Sequence, residues 1–197
     1  MSVVISITNQ KGGVGKTTSA VNLAYYLAKA GKKVLLVDFD PQGNATSGLG
    51  VDKDKLNITM SDVMLGKKLL KDTIIATDYK NLWLAPSTPH LANTEAELAQ
   101  TERRFSRLKV AIESVANQYD FILIDSPPSL SLLTVNGLIA ARYILLPVQA
   151  EFYALEGLGQ LLETMKLVRK NINPTLDLLG VLPTMINLSL IHISDGA

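Results

Sequence analysis

The sequence predicts a doubly wound α/β protein whose sheet is mostly parallel, and three observations lead to that prediction. Near-continuous apolar runs such as Val34–Val37 and Phe121–Ile124 recur along the chain, as is typical of strands buried on both faces of a parallel sheet. Longer stretches with helical spacing separate these runs. A glycine-rich segment joins the first apolar run to the first helical stretch. Ligands of such folds bind at the carboxyl ends of the strands, which is where we look for a site.

The predicted elements alternate along the chain. Six strands are expected, at Val3–Thr8, Lys33–Asp38, Leu82–Pro86, Tyr119–Asp125, Tyr143–Val148 and Leu176–Leu182. Four helices are expected between them, at Lys16–Lys29, Thr94–Asn117, Leu130–Ala140 and Leu155–Asn171. With no internal repeat or low-complexity linker, this alternation predicts one domain.

Local signals support individual boundaries. Gly31 follows the first helix and can end it. Pro127 and Pro128 cannot continue the strand that ends at Asp125, and Ser129 can cap the helix expected after it. The helix predicted over Thr94–Asn117 carries mixed charges, which indicate a solvated face.

Composition excludes some classes of function. The 197 residues include 19 Lys and Arg and 18 Asp and Glu, so the net charge of +1 favours neither nucleic acid nor membrane as a partner. The absence of cysteine excludes thiolate ligation of zinc or an iron–sulfur cluster by this chain. No apolar run approaches the roughly 18 residues that a membrane span needs. Because the chain enters a strand at once, it has no room for a secretory signal, and we expect a cytoplasmic protein.

Residues 10–18 form the most informative motif of the chain, Gln-Lys-Gly-Gly-Val-Gly-Lys-Thr-Thr. A strand precedes the motif and a helix follows it, which is the context of a phosphate-binding loop rather than of an ordinary turn. Backbone N–H groups of such a loop converge on an anion, and the N-terminus of the helix adds partial positive charge. Lys16 can reach the β- and γ-phosphates, and the hydroxyl of Thr17 can bind Mg²⁺. The candidate nucleotide-binding residues are Lys11, Gly12, Gly13, Val14, Gly15, Lys16, Thr17 and Thr18.

Aspartates at the ends of two predicted strands complete the candidate site. Asp38 and Asp40 are two residues apart at a strand end, so their side chains lie on one face. Pro41 and Gly43 then turn the chain at the rim of the sheet. A carboxylate there can orient the water that attacks a γ-phosphate. Asp125 ends a second apolar strand, where a carboxylate can hold a metal-bound water.

These motifs resemble the deviant phosphate loop of the ParA/MinD superfamily of P-loop ATPases. The motif has Gln10 where the ordinary loop has glycine, and it carries an additional cation, Lys11. Together with the Asp-Phe-Asp-Pro-Gln-Gly-Asn run over residues 38–44 and the Asp-Ser-Pro-Pro-Ser run over residues 125–129, it is most similar to the ParA/Soj branch. The resemblance implies a P-loop NTPase fold of the SIMIBI type, with ATP and Mg²⁺ as cofactors.

The resemblance also implies roles for individual residues. Lys11 would contact nucleotide across a dimer interface, Lys16 would bind phosphate, and Asp40 would activate the attacking water, so these three are the candidate catalytic residues. Mg²⁺ would be held, partly through water, by Thr17, Asp38 and Asp125.

The function that the resemblance implies is a slow, partner-stimulated ATPase for chromosome or plasmid partition. ATP would drive formation of a homodimer that binds DNA non-specifically on the nucleoid, and a ParB/Spo0J-like protein would stimulate hydrolysis. A MinD-like membrane switch is the alternative, but it needs a basic amphipathic C-terminal helix, and Leu188–Ala197 contains no Lys or Arg. A metabolic ATPase, a metallocluster carrier and a nucleotide-binding module without activity also remain open, although zero cysteines count against the carrier.

The resemblance ends near Met185. We therefore expect a partial P-loop ATPase domain over residues 1–185 and a tail over residues 186–197 that is foreign to the family, as from a truncated or chimeric gene model. The loop that recognises adenine in this family, and most of its DNA-binding basic residues, would lie beyond that point.

Overall fold

A computed structural model describes residues 2–150 and 154–186, without the side chains of residues 154–158. These residues form a seven-stranded sheet with helices on both sides. The strands are β1 (Val3–Ile7), β2 (Val34–Asp38), β3 (Ile75–Ala76), β4 (Leu82–Ala85), β5 (Phe121–Asp125), β6 (Tyr143–Gln149) and β7 (Asp177–Thr184). The helices are α1 (Lys16–Lys29), α2 (Asn44–Gly48), α3 (Met60–Met64), α4 (Leu70–Thr73), α5 (His90–Leu98), α6 (Arg107–Glu113), α7 (Leu132–Ala140) and α8 (Ala154–Asn171). Most of the predicted tail, residues 187–197, lies outside the described residues.

The predicted fold class is confirmed. The strand order is β3-β4-β2-β5-β1-β6-β7, and every neighbouring pair is parallel except β3 with β4. In the register of the three central strands, Asp125 of β5 pairs with Ile7 of β1 on one side and with Asp38 of β2 on the other. The carboxyl ends of these strands therefore meet at one edge of the sheet, directly below the glycine-rich loop.

Alternate residues of the central strands pack into two separate cores. Leu35 and Ile122 belong to the core on one face, whereas Leu36 and Leu123 belong to the core on the other. Helix α1 covers the second face through small side chains one turn apart, and Ala20, Ala24 and Ala28 are all buried. Burial on both faces explains why the strands are apolar throughout.

The single helix predicted over Thr94–Asn117 is wrong, because α5 ends at Leu98 and α6 begins only at Arg107. Asn136 of α7 stabilises the turn between them. Its side-chain amide donates to the carbonyl oxygen of Arg104 at 2.6 Å, and its Oδ1 accepts from the backbone N–H of Leu108 at 3.3 Å. A tertiary contact thus replaces the helical hydrogen bonds that local sequence would favour.

Shorter elements were also missed. The sequence analysis did not predict β3 or the helices α2, α3 and α4, each of five residues or fewer. The capping role expected of Ser129 is also wrong, because α7 begins at Leu132 after Ser131 in an extended conformation. Within the described ranges, no helix is both long enough and apolar enough to span a membrane.

Candidate functional site

The glycine-rich loop connects β1 to α1 and uses glycine where the backbone requires it. Gly13 and Gly15 have φ angles of 73° and 85°, a left-handed conformation that strains other residues. Gly15 directly precedes α1, and among the described residues no side chain caps this helix. The first N–H groups of α1 are therefore open to an anion at the carboxyl end of the sheet.

Two side chains that the sequence analysis missed hold the loop in place. Asn9 donates to the carbonyl oxygen of Pro147 in β6 at 2.7 Å and accepts from the N–H of Lys11 at 3.0 Å. Thr184, at the end of β7, donates its hydroxyl to the carbonyl oxygen of Val14 at 2.9 Å. The loop is thus held by β6, which is next to β1 in the sheet, and by β7, which is next to β6. A polar residue directly after a buried strand was the available signal for Asn9; Thr184 lies too far along the chain to give one.

Lys16 is a buried cation at the centre of the site. Only 6% of the residue is exposed, and its Nζ donates to the carbonyl oxygen of Lys11 at 3.0 Å. Burial lowers the pKa of Lys16, while the carboxylates of Asp125 and Asp40 act in the opposite direction. An ammonium group in this position gains from an anion that replaces the neutral carbonyl.

Asp125 is a buried carboxyl group whose oxygens accept no hydrogen bond of ordinary geometry from the described residues. The residue is fully buried. Burial, and after it the negative charge of Asp38, raises the pKa of Asp125 to about 8. The neighbouring Thr17 hydroxyl and Lys16 lower this pKa but do not offset the burial. Buried acceptors without a partner are rare in folded proteins, so this carboxyl group is a candidate ligand for a bound ion.

Asp38, which pairs with Asp125 across neighbouring strands, differs from it because both of its side-chain oxygens accept hydrogen bonds. Oδ2 accepts from the hydroxyl and the N–H of Thr46 at 2.6 and 2.7 Å, and Oδ1 accepts from the N–H of Asp40 at 3.3 Å. Burial raises the pKa of Asp38 to about 6, although the bonds from Thr46 lower it. Asp38 thereby joins the end of β2 to α2.

A magnesium ion fits the residues at this edge of the sheet. The carboxyl of Asp125 lies beside the Thr17 hydroxyl, and both are the oxygen ligands that Mg²⁺ prefers. The described residues include no cluster of three or more His, Cys, Asp or Glu side chains that could hold a metal by itself. Mg²⁺ does not require one, because it commonly takes its remaining ligands from water and substrate phosphates.

Asp40 lies on a tight turn at the rim of the site. The residue is 6% exposed, and its Oδ1 accepts from the N–H of Gln42 at 2.9 Å. Gly43 completes the turn with a φ of 61°, and a side chain there would approach the carbonyl oxygen of Ser87 to 2.7 Å. The side chain of Lys53 donates to the carbonyl oxygen of Gln42 at 2.9 Å. The backbone around Asp40 is therefore held from several sides.

The structure brings most of the predicted site residues together. The loop surrounds the N-terminus of α1, with Val14 and Lys16 buried, Gly15 and Thr17 half-buried, and the rest exposed: Lys11, Gly12, Gly13 and Thr18. Gly12 lies against Pro128 of the segment that follows Asp125. The electrostatic contacts of Lys16 with Asp40 and Asp125 link the loop to the ends of β2 and β5. This combination defines a P-loop nucleotide-binding protein.

Comparison with known proteins identifies the family. A family model described as an AAA domain, AAA_31, matches residues 2–178. Soj of Bacillus subtilis, a sporulation initiation inhibitor protein, is 53% identical over 187 residues, which cover 95% of this chain and 74% of that protein. The chain belongs to the ParA/Soj family of P-loop ATPases.

Two solved structures share the fold. Cobyrinic acid a,c-diamide synthase from Mycobacterium smegmatis, with bound ADP and magnesium, has a TM-score of 0.93 and 39% identity, and the match covers 100% of this chain and 83% of that one. A plasmid partition protein from Borrelia burgdorferi bound to AMPPNP has a TM-score of 0.84 and 32% identity, over 100% of this chain and 82% of that one. Both proteins bind an adenine nucleotide on this architecture.

Replacing Asp125 with asparagine is expected to stabilise the nucleotide-free protein at alkaline pH. Because burial raises the pKa of Asp125 from 3.8 to about 8, the folded chain binds this proton more tightly than the unfolded chain does. The contribution of this group to the free energy of unfolding therefore falls as the pH rises between those two values. The amide does not ionise, so Asp125→Asn avoids a loss on the order of 5 kcal/mol at pH 8, or roughly 10–20 °C in Tm.

Thermal unfolding of both proteins at pH 5 and pH 8, without nucleotide or Mg²⁺, measures this effect. The gain in Tm should be several-fold larger at pH 8, and the exposed Asp78→Asn should give no such dependence. An equal gain at both pH values would show that Asp125 does not titrate as its burial implies.

Proposed function

We propose that the protein is an ATP-binding and ATP-hydrolysing partition protein with Mg²⁺ as its metal cofactor. The observation that carries the proposal is the combination of two buried groups. Nζ of Lys16 donates to a carbonyl of its own loop, and the oxygens of Asp125 accept no hydrogen bond of ordinary geometry from the described residues. Lys16 is also the first residue of α1, whose N-terminus has no side-chain cap among the described residues. A nucleoside triphosphate supplies negative charge to Lys16, and its metal ion supplies positive charge to Asp125.

Each group of the site has a distinct part in binding. The N–H groups at the start of α1 donate to phosphate oxygens, and Lys16 exchanges the Lys11 carbonyl for the β- and γ-phosphates. Thr17 and Asp125 would hold Mg²⁺, and Asp38 would act on it through water because its own oxygens already accept hydrogen bonds. When bound, Mg²⁺ neutralises charge on the phosphates.

Asp40 orients the attacking water in this proposal. Its Oδ1 is engaged by Gln42, whereas Oδ2 has no hydrogen bond from the described residues and can accept one from a water at the γ-phosphate. Phosphoryl transfer depends mainly on positioning and charge stabilisation, so one carboxylate held this way is sufficient. We propose that turnover is slow until a ParB-like partner completes the site.

Lys11 provides the link from nucleotide to assembly. Its side chain is exposed at the outer edge of the loop, where it can reach the phosphates bound by a second copy. ATP then joins two copies, and ADP, without the outer phosphate, joins them less well. The name of the Borrelia burgdorferi plasmid partition protein supports partition as the role of the assembly, which we propose binds DNA non-specifically on the bacterial nucleoid in the cytoplasm. Phosphate contacts would make that binding sensitive to salt.

The domain boundary belongs to the same proposal. Residues 1–185 are proposed as the P-loop ATPase domain, and the family match to residues 2–178 supports it. The comparisons do not favour the MinD-like alternative, because they include Soj at 53% identity and a plasmid partition protein. The tail Leu188–Ala197, which counted against that alternative, lies outside the described residues.

Replacing Lys11 with alanine is expected to leave ATP bound to a monomer. Because the exposed ammonium serves the partner's nucleotide, its loss should weaken ATP-dependent dimerisation at least about tenfold while ATP affinity changes less than about threefold. Sedimentation velocity with ATP and Mg²⁺ measures dimerisation, and titration of a fluorescent ATP analogue measures affinity. The control is Lys33→Ala, an exposed lysine away from the loop. A Lys11→Ala dimer as tight as that of the control would refute the cross-subunit role.

A further inference from the structure

A small cavity beside α6 concentrates positive charge on an apolar floor. It measures about 270 Å³ and lies between α6 and the segment that joins α3 to α4. Its lining consists of Val63, Gly66, Lys68, Leu69, Leu70, Arg103, Arg107, Val110, Ala111 and Ser114. These residues include three cations and no acidic side chain, and none of them belongs to the nucleotide site.

The three cations of this cavity lack counter-charges. Within residues 2–150 and 154–186, the side chains of Lys68, Arg103 and Arg107 form no ion pair. Arg107 is the most informative of them, because it is half-buried and its Nε is a buried donor without a hydrogen-bond acceptor. A desolvated donor on a charged group is costly to leave unpaired, so an anion at this position would be stabilised.

The surrounding backbone gives the guanidinium group its position. Gly66 has a φ of 71°, and a side chain there would meet Nη1 of Arg107 at 3.2 Å. Glycine therefore allows the guanidinium to lie against this turn. Beside it, Leu69 and Val110 are 58% and 51% exposed, so both present apolar surface at the cavity. The floor and the cations together match a ligand that has both an apolar body and a negative charge.

We propose that this cavity, the α6 cavity, binds an acidic, apolar segment of a partner protein. One aliphatic side chain of that segment fills the space beside Leu69 and Val110. A carboxylate next to it accepts hydrogen bonds from Arg107 and is attracted by Arg103 and Lys68. Charge complementarity selects this occupant, because a carboxylate accepts a charge-assisted hydrogen bond from Nε of Arg107 that is stronger than one to a neutral carbonyl, and a basic segment would be repelled by the three cations. The proposal does not depend on nucleotide binding.

A dipeptide titration into the ¹⁵N-labelled full chain tests the chemistry of the cavity. The probe is N-acetyl-leucyl-aspartate amide, and the matched probes are its asparagine and lysine analogues and inorganic phosphate. We expect the aspartate probe to shift the Nε–Hε signal of Arg107 with a Kd on the order of 1 mM, as is reasonable for so small a ligand. The asparagine and lysine probes should bind at least about tenfold more weakly, because neither offers a carboxylate that can accept a charged hydrogen bond from Arg107.

Each alternative result has a clear meaning. Equal binding of the aspartate and asparagine probes, or no shift of Arg107 by any peptide at 20-fold the expected Kd, would overturn the proposal. If phosphate bound as tightly as the aspartate probe, the apolar contact would contribute nothing, and the proposal of an acidic, apolar segment would be overturned. Phosphate should therefore bind at least severalfold more weakly.

Substitutions then locate the interaction. Arg107→Gln should weaken the aspartate probe about tenfold or more, and Arg103→Gln, on an exposed position, should weaken it severalfold without risk to packing. Lys109→Gln is the matched control. It removes a positive charge from α6, the helix that carries Arg107, but Lys109 lines a different cavity. It should change binding less than twofold. If Lys109→Gln weakens the probe as much as Arg103→Gln does, the attraction is unspecific and the proposal fails. Thermal unfolding checks that each variant is folded.

Discussion

Lys16→Ala is expected to weaken ATP binding at least about 100-fold. The ammonium group is buried, and in the absence of nucleotide it donates to a loop carbonyl at 3.0 Å that it can exchange for phosphate. Each hydrogen bond to a charged group contributes about 1.5–3 kcal/mol, so the loss of contacts to two phosphates accounts for that factor. Titration of a fluorescent ATP analogue in the presence of Mg²⁺ measures the affinity.

The control for this substitution is Lys33→Ala, which removes the same charge from an exposed position. Its ATP affinity should stay within about twofold of the unmodified protein. Both variants should unfold cooperatively, since alanine is compatible with the helix position of Lys16. If Lys16→Ala binds ATP as tightly as Lys33→Ala, the loop is not the phosphate site.

Asp40→Ala is expected to keep ATP affinity and to lose turnover by about 100-fold or more. In the proposed mechanism the carboxylate of Asp40 contacts the attacking water and not the nucleotide, so its removal acts on the transition state more than on ground-state binding. A positioned acid or base contributes about 10²–10⁴ in rate, which sets the expected range. Single-turnover release of phosphate measures the chemical step directly.

Two further variants make this test specific. Asp40→Asn retains an oxygen that can accept the N–H of Gln42, so the turn should stay intact while the carboxylate charge is lost. Its turnover should fall as steeply as that of Asp40→Ala. Asp78→Ala, an exposed carboxylate, should hydrolyse ATP at the normal rate. If Asp40→Asn hydrolysed ATP at the unmodified rate, a residue other than Asp40 would orient the attacking water.

Sequence reasoning succeeded where local pattern and physics agree. The central strands are buried on both faces, so uninterrupted apolar runs located β2 and β5 within a few residues. The glycine-rich loop was predictable because left-handed backbone at Gly13 and Gly15 restricts the residues that fit. The positions of Asp38 and Asp125 at strand ends were also predicted, whereas their pairing across neighbouring strands came from the structure.

Tertiary contacts account for what the sequence did not reveal. The turn that separates α5 from α6 depends on Asn136, which is distant along the chain and has no local signature. The same holds for Thr184, whose contact with Val14 joins residues 170 positions apart. The difference between the two strand-end aspartates also depends on a neighbour, since only Asp38 is satisfied by Thr46. The electrostatics of the site could therefore be read only from the folded chain.

Calorimetric titration of the full chain with ATP, with and without Mg²⁺, tests most directly whether this loop and its aspartates form a nucleotide site. One ATP per chain should bind with Mg²⁺ present, and affinity should drop at least about tenfold when the metal is chelated, because the carboxyl of Asp125 then meets no cation. No heat of binding above that of buffer, or an affinity that is the same with and without Mg²⁺, would contradict the assignment.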